Sequence, residues 1–319
     1  MTISGCGGGG SGGTTPNVGP PTGGPTPNSV AITGQALKGP MHDSTLEVVS
    51  PDGNVLATGQ TQNGNFGLTV DIADLPYVGI RTRGGYFIDE ATGSRVDVDP
   101  GEGLSTIVSA SDMQTHALEI VLTPETTIIA HMMRQSMVAG NGLQQAMTQS
   151  VDIYYSQFVG ESRPPGMGAD ADRPMHFGAP LDPVDAEDSL AWHRSRAFSR
   201  YSSEIGLAPQ SMFELMEALG LDMHDGVLDG HAGSDPISFM HASGGPFNMA
   251  EHDHALRYGQ ARAGMLHDDL FTVFNGDGSP AFRHHLELMS LDLTPFDTMH
   301  AQHRDGIATT AENLAANNL

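Results

Sequence analysis

Histidine and carboxylate side chains are concentrated in the second half of the chain, where their chemistry would suit a transition metal. The sequence has 15 His, and imidazole beside carboxylate binds zinc or copper. None of the groups has the His-Glu-x-x-His spacing that places two ligands and a base on one helical face. We therefore expect no bound cofactor and keep a copper or zinc site as the alternative. The candidate ligands of that site are His252, His254, His267, His284, His285, His300 and His303.

Met-His dipeptides are a second pattern with possible metal chemistry, because they recur more often than random placement predicts. A thioether beside an imidazole is a soft ligand set that suits Cu(I). Methionine also fills irregular helical cores, and histidine also caps helices or lies on surfaces. We expect these structural roles and keep copper binding as the alternative. The dipeptides are Met41-His42, Met175-His176, Met223-His224, Met240-His241 and Met299-His300.

Catalytic motifs are weak throughout the chain. The Gly-x-Ser-x-Gly match at Gly9 to Gly13 lies in a low-complexity leader, whereas a nucleophile elbow needs a preceding strand. The sequence has no phosphate-binding loop and no dinucleotide fingerprint. Adjacent carboxylates such as Asp268-Asp269 are common in so acidic a chain and give glycosidase chemistry no specific support. The sequence predicts a protein that is not an enzyme, with an unrecognised hydrolase as the alternative.

The single cysteine excludes an internal disulfide framework and a zinc site built on several thiolates. It lies in Ile3-Ser4-Gly5-Cys6, directly before a Gly/Ser/Thr/Pro tract that ends near Asn28. This arrangement resembles the lipobox and tether of bacterial lipoproteins. The resemblance implies that Cys6 carries a lipid, that residues 1–28 form a flexible tether, and that the protein attaches to a membrane through this lipid.

The region before Cys6 is too short for export as written. A secretory signal needs a basic region and an apolar region of about 7 to 15 residues, so we expect the true start codon upstream of Met1. No stretch approaches the roughly 18 apolar residues of a membrane span. In many enterobacterial lipoproteins an Asp after the cysteine favours inner-membrane retention. Gly7 stands there instead, which favours an outer-membrane lipoprotein facing the periplasm or the cell surface.

The net charge of -24 comes from 38 acidic and 14 basic residues, and Lys38 is the one lysine among them. Phosphate binding needs a clustered basic surface, so nucleic acid is excluded as a partner. The histidines would give a response to pH, since their protonation near pH 6 offsets negative charge.

Residues 29–122 alternate apolar and polar positions between turn signals, as antiparallel strands do. Leu46 and Val48 share a face, Asp52-Gly53 predicts a hairpin turn, and Asn63-Gly64 predicts another turn. The alternation continues in Phe66, Leu68, Val70, Leu118, Ile120 and Leu122. The pattern predicts a small β-sandwich.

The same segment resembles the carboxypeptidase-regulatory-like domain, as it occurs in bacterial surface lipoproteins. The resemblance implies a transthyretin-like seven-stranded sandwich and brings no catalytic residues with it. It rests on Gly34, Gly39-Pro40, Leu46 to Val48, Asp52 to Gly59, Thr61, Gly64 to Leu68, Gly84 to Gly93 and Leu122 to Thr127.

Residues 123–319 predict a separate, mainly α-helical domain, so the expected fold class is α+β. Thr123-Pro124-Glu125 has the form of a helix N-terminus, and Gly140-Asn141-Gly142 ends that helix. Residues 160–185 predict a long loop. Further helices are predicted near 143–158, 186–205, 209–224, 254–274, 282–289 and 304–317.

A segment like Leu219 to Gly230 is common in the helical tails of the lipoproteins named above. Asp225, Gly226 and Asp229 match part of a calcium-loop template, but the positions that should hold its first and last ligands are apolar. We expect a helix end closed by Gly226 instead.

Together these patterns predict a non-catalytic cell-envelope lipoprotein that binds or displays an unidentified protein or small ligand. The alternatives are a periplasmic copper- or zinc-handling lipoprotein and an unrecognised hydrolase.

Overall fold

The computed structural model of the chain describes residues 29–72, 74–89, 94–115, 119–160, 186–242 and 244–262, and of 186–194 the backbone alone. Antiparallel strands dominate the N-terminal part and helices the C-terminal part, which confirms the mixed α+β content. Cys6 and the tether lie outside the described residues, as do the helices predicted near 282–289 and 304–317. No helix in the described ranges is both long and apolar enough to cross a membrane.

The N-terminal strands form three sheets. A four-stranded antiparallel sheet has the order β3-β2-β5-β8, a three-stranded sheet has the order β4-β1-β9, and β6 pairs with β7. The strands are β1 (Ser29–Ala36), β2 (Thr45–Val49), β3 (Val55–Gln60), β4 (Asn65–Asp71), β5 (Tyr77–Arg83), β6 (Tyr86–Ile88), β7 (Arg95–Asp97), β8 (Ser105–Ser109) and β9 (Glu119–Leu122).

The helices of the described residues begin with a short helix between β8 and β9, and the rest follow β9. They are α1 (Ala110–Thr115), α2 (Pro124–Val138), α3 (Leu143–Ile153), α4 (Ala186–Glu204) and α5 (Met212–Asp222). A π-helical turn (Tyr154–Val159) continues α3, and short 3-10 turns span Pro209–Ser211, Met223–Asp225 and Met249–Glu251. Residues 254–262 are also helical.

The two predicted turns of the β-rich part have different roles. Asp52-Gly53 connects the hydrogen-bonded strands β2 and β3, with φ 81° at Gly53. At Asn63-Gly64 both residues have positive φ, 51° and 80°, but the turn connects β3 to β4, which belong to different sheets. The first prediction of a hairpin is confirmed. The second turn exists and carries the chain from one sheet to the other.

The core is continuous between the two parts. Leu46 and Val48 of one sheet and Phe66 and Val70 of the other are buried, as their alternation predicted. They belong to one hydrophobic cluster with residues of α2, α4 and α5. Leu118 of the predicted alternation lies outside the described residues. The cluster therefore spans the predicted boundary between residues 122 and 123.

Helix α2 begins and ends where the sequence predicted. The hydroxyl of Thr123 accepts a hydrogen bond from the Thr126 amide (3.2 Å), and the Thr126 hydroxyl accepts one from the Thr123 amide (2.9 Å). This reciprocal cap satisfies two amides that the first helical turn leaves unpaired. The helix ends before Gly140, whose φ of 99° no other residue adopts without strain.

The C-terminal part contains two short hairpins that the sequence analysis did not predict. They are formed by β10 (His231–Ala232) with β11 (Asp235–Pro236), and by β12 (Ser238–His241) with β13 (Gly245–Asn248). Their strands are two to four residues long, too short to show a clear alternation. The predicted loop at 160–185 lies outside the described residues except for Gly160.

Candidate functional site

His254, the most deeply buried of the predicted metal ligands within the described ranges, has both ring nitrogens engaged. Its Nε2 lies 2.9 Å from the Met249 carbonyl oxygen, which can only accept, so Nε2 donates. The Tyr201 hydroxyl then donates to Nδ1 over 2.6 Å. Burial lowers the pKa of His254 to about 4 and keeps the ring neutral near pH 7. This histidine would have to lose a buried hydrogen bond before it bound a metal.

His252 lies next to His254 but is used for packing. Its ring stacks on Phe247 with centroids 4.8 Å apart and planes 3° apart, and the two imidazole centroids are 5.8 Å apart. Burial lowers the pKa of His252. The predicted pair is therefore close in space without a third ligand: no group of three His, Cys, Asp or Glu suited to a metal occurs among the described residues.

The other predicted ligands lie outside the described residues, as does the lipidation site Cys6. These ligands are His267, His284, His285, His300 and His303. Two of the Met-His dipeptides, Met175-His176 and Met299-His300, also lie there.

In two of the three described Met-His dipeptides, the methionine and the histidine have separate structural roles. Met41 is fully buried, while His42 stacks on Tyr86 with centroids 4.8 Å apart. Met223 is buried in the core, and His224 Nδ1 lies 2.6 Å from the Leu221 carbonyl oxygen. In the third, Met240 is exposed at the surface. Packing and helix-end hydrogen bonds account for the first two without a metal.

A polar cluster that the sequence analysis missed surrounds Lys38. The Lys38 ammonium is fully buried and lies 3.6 Å from Asp89 Oδ1. It donates a hydrogen bond to Ser199 Oγ, and Ser199 Oγ donates to Asp89 Oδ1 over 2.8 Å. We call these three residues the Lys38 network. It joins the turn after β1 and the end of β6 to helix α4.

Residues 37–40, which follow β1 and which we call the Lys38 turn, are held close to their neighbours by a glycine and a serine. Gly39 has φ 57°, and a Cβ there would lie 2.1 Å from the Ile88 carbonyl oxygen, so only glycine allows β6 to approach this closely. Ser195, one helical turn before Ser199 on α4, donates to the Leu37 carbonyl oxygen over 3.3 Å. The backbone of the turn is thus held from two sides.

The Lys38 network contains the residue types of a serine nucleophile with a lysine base, but its geometry does not suit that reaction. An ammonium in an ion pair has no lone pair with which to take the serine proton. Ser199 is 4 % exposed and Lys38 is 0 % exposed, so a substrate cannot reach the hydroxyl. The network is suited to holding the β-rich and helical parts together. The one signal for it in the sequence was the presence of a single lysine in so acidic a chain.

A second polar contact between the two parts involves like charges. The two groups are Glu102, in the loop between β7 and β8, and Glu214, in the first turn of α5. Burial, the Glu214 charge and the Asp99 charge raise the pKa of Glu102 to about 7. Burial also raises the pKa of Glu214, and the charges of Asp99 and Glu217 act in the same direction. Both carboxyl groups are therefore harder to ionise than an exposed acid.

The acidic segment after α5 is a structural loop. Asp222 accepts hydrogen bonds from the backbone amides of Asp229 (3.0 Å) and Gly230 (2.9 Å), and Asp225 accepts one from Val227 (3.1 Å). Gly226 has φ 98° and closes the preceding helical turn, as predicted. Backbone amides thus occupy carboxylate oxygens that a calcium loop would direct at the ion.

Comparison of the chain with protein-family models, with curated proteins and with solved structures found no match. The function therefore has to be inferred from the chain's own residues.

Proposed function

We propose that this protein is a non-catalytic lipoprotein of the bacterial cell envelope, whose folded part binds or displays a partner at the membrane surface. The observation that carries the proposal is the use of the buried polar groups. Lys38, Asp89, Ser199, His254 and Asp222 all form hydrogen bonds or ion pairs that hold the fold. A catalytic group has to face a substrate, and these five face other parts of the same chain.

The proposed envelope location rests on the sequence around Cys6. The lipobox-like Ile3 to Cys6 precedes a Gly- and Pro-rich stretch that suits a flexible tether. Cys6 would carry the lipid, and Gly7 favours the outer membrane. A tether of this kind lets a folded part act at a distance from the surface to which it is anchored.

The architecture of the N-terminal part supports the finer proposal of a transthyretin-like sandwich. Its four-stranded and three-stranded sheets together supply seven strands. Buried residues of both sheets, such as Val48 and Val70, belong to one hydrophobic cluster, as the facing sheets of a sandwich require. Sandwiches of this size commonly serve as binding or spacing modules.

The lipoprotein proposal is tested by expressing the gene with its native upstream region in a bacterium fed a radiolabelled fatty acid. We expect the wild-type protein to carry the label and to occur in the outer-membrane fraction. A Cys6→Ser variant should be unlabelled and absent from that fraction. A Ser4→Ala variant is the matched control, because it keeps a small residue in the lipobox. An unlabelled wild-type protein in the cytoplasm would contradict the proposal.

The metal-handling alternative is tested by elemental analysis of the untagged, purified full chain. We expect less than one equivalent of copper or zinc. Stoichiometric metal that is lost when His252, His254, His284 and His285 are changed to Ala would instead establish the alternative. A His42→Ala variant, which changes a histidine stacked on Tyr86, is the control for nonspecific loss.

A further inference from the structure

We propose that the outer face of the four-stranded sheet binds one dianionic phosphate group through Arg81, Arg83 and Arg134. The ligand is inorganic phosphate or a molecule that carries phosphate as a monoester. This inference rests on the proposed function of a binding module and names the chemistry of what the module binds.

The strand alternation of β5 places Arg81 and Arg83 on one face of the sheet. Thr82, which lies between them, is buried on the opposite face. In the strand register, Arg81 pairs with Glu47 of β2 on one side and with Ser105 of β8 on the other. Directly paired residues of antiparallel strands share a face, so Glu47, Arg81 and Ser105 form one row across the sheet.

Helix α2 adds Arg134 to this row. The Arg134 Nη2 donates to Ser105 Oγ over 3.2 Å, and Ser105 is the strand neighbour of Arg81. The helix is held against β8 at the same residue, because the Ser105 amide donates to Thr127 Oγ1 over 2.9 Å. Two different elements thus bring three guanidinium groups together, which no spacing along the sequence indicates.

The three guanidinium groups share a single carboxylate as their ion-pair partner. Glu47 Oε2 lies 2.8 Å from Arg81 Nη2 and 3.0 Å from Arg83 Nε. Arg134 has no ion pair within the described ranges, where its hydrogen bond goes to the neutral Ser105 hydroxyl. Three positive charges and one negative charge in contact leave an excess of two positive charges.

The surroundings of Arg134 favour an added anion. Burial lowers the pKa of Arg134, and the Arg81 charge acts in the same direction, whereas Glu217 and Tyr77 raise it. Glu217 acts at longer range, since the described residues include no ion pair between it and Arg134. A half-buried cation is stabilised by a directly bound anion, and a ligand can supply one here.

The site is accessible and retains hydrogen-bond donors. The side chains of Arg81 and Arg83 are 31 % and 33 % exposed. Arg83 binds Glu47 through Nε, and both of its terminal nitrogens have no partner in the described part of the chain. A guanidinium fork matches the oxygens of phosphate.

The charge balance selects the ligand. A phosphate dianion neutralises the excess of two charges, whereas a single carboxylate neutralises half of it. Three arginines are too few to follow a nucleic-acid backbone. The net charge of -24 opposes approach to an anionic lipid surface, so we expect a soluble ligand.

The test is calorimetric titration of the full chain with inorganic phosphate at low salt and about pH 8, where phosphate is a dianion. We expect saturable binding to the wild type at one site. Arg134→Gln and Arg83→Gln should each weaken it at least about tenfold, because each removes charge-assisted hydrogen bonds. Arg257→Gln is the matched control, since it removes an exposed arginine from the helical residues 254–262, and it should bind phosphate as the wild type does.

Two further probes define the ligand. Acetate, a monoanion, should bind at least about tenfold more weakly than phosphate. Phosphatidylcholine vesicles that contain phosphatidic acid present the same phosphate group on a lipid. Retention of the wild type on these vesicles, lost in Arg134→Gln, would identify a lipid head group as the source of the phosphate.

Wild-type protein that does not bind phosphate at about 10 mM would overturn the proposal. Unchanged affinity in both Arg134→Gln and Arg83→Gln, a loss as large in Arg257→Gln, or acetate bound as tightly as phosphate would also overturn it. The lipoprotein proposal would stand in each of these cases, because fatty-acid labelling and fractionation test it without phosphate.

Discussion

Among the polar contacts between the β-rich part and the helical part, two differ in charge. The Lys38 network pairs a cation with an anion, and the side chains of Lys38 and Asp89 are 0 % and 2 % exposed. The carboxyl pair of Glu102 and Glu214 brings two acids together at half-buried positions. The first contact is neutral overall at every pH at which both partners are charged, whereas the second depends on one proton.

The difference shows how burial has opposite consequences for the two contacts. Removing water strengthens the attraction between Lys38 and Asp89, provided that hydrogen bonds such as those of Ser199 satisfy the remaining polar atoms. Removing water from the carboxyl pair instead disfavours ionisation. We therefore expect a permanent contact at α4 and a conditional one at α5.

The largest expected effect is the loss of the buried cation. Lys38→Met removes the buried ion pair of Lys38 with the Asp89 carboxylate, and we expect a loss of about 3–5 kcal/mol in the free energy of unfolding. Urea denaturation near neutral pH measures it. The double variant Lys38→Met with Asp89→Asn should recover a large part of the loss, because no uncompensated charge is then buried. A single variant as stable as the wild type would contradict the role of the network.

A neutral buried contact tests whether charge or burial gives the Lys38 network its strength. Tyr201→Phe removes the hydroxyl that donates to His254 Nδ1 and changes the packing volume little. We expect it to lower the free energy of unfolding by about 1–3 kcal/mol, less than Lys38→Met. Thermal and urea unfolding of both variants side by side decide the order. A larger loss in Tyr201→Phe would show that charge is the minor factor.

The pH profile of stability should fall on both sides of a maximum near pH 5–7. Burial lowers the pKa values of His131 and His254 to about 4. These groups therefore stabilise the fold fully above their ordinary pKa of 6.5, and this contribution is lost as the pH falls towards 4. We expect at least about 1 kcal/mol from each buried histidine.

On the alkaline side, the pKa values of Glu102 and Asp222 are raised to about 7 and about 6. Their contribution to stability therefore decreases as the pH rises. Their contribution is complete below their ordinary values and is lost as the pH rises through 6 and 7. Unfolding midpoints measured from about pH 4 to about pH 9 give the profile. Stability that rises steadily across this range would contradict the assignment of the carboxyl groups.

The smallest effect is expected at an exposed ion pair. Arg95 and Asp97 lie 2.7 Å apart, and their side chains are 58 % and 76 % exposed. Asp97→Asn should change the free energy of unfolding by no more than about 0.5–1 kcal/mol, because water screens the pair. Measured by the same urea denaturation, this variant is the reference for an ion pair that is not buried. A loss comparable to that of Lys38→Met would remove the distinction on which the comparison depends.

Local features of the fold could be predicted from the sequence because they depend on neighbouring residues. The alternation of Leu46 and Val48, the cap at Thr123 and the closure at Gly226 are confirmed. The Lys38 network could not be predicted, since Ser199 is 161 positions from Lys38 and 110 from Asp89. The carboxyl pair likewise joins residues of different elements, which no spacing along one strand or helix indicates.

The expected response of the histidines near pH 6 does not extend to two buried ones, and His252 lies close to His254 as expected. Burial lowers the pKa values of His131 and His254 to about 4, and it raises the pKa of the Glu102 carboxyl to about 7. Sequence reasoning assigns each residue its ordinary pKa, and the desolvation that changes it appears only once the chain is packed.

The most direct test of the difference between the two contacts is amide hydrogen exchange in the wild-type protein at about pH 5.5 and about pH 8.5, corrected for intrinsic exchange rates. We expect the amides of the Lys38 turn and of α4 after Ser195 to be equally protected at both pH values. The loop from Val98 to Leu104 and the first turn of α5 should lose protection only at the higher pH. Equal protection of both regions at both pH values, or a parallel loss in both, would contradict this account.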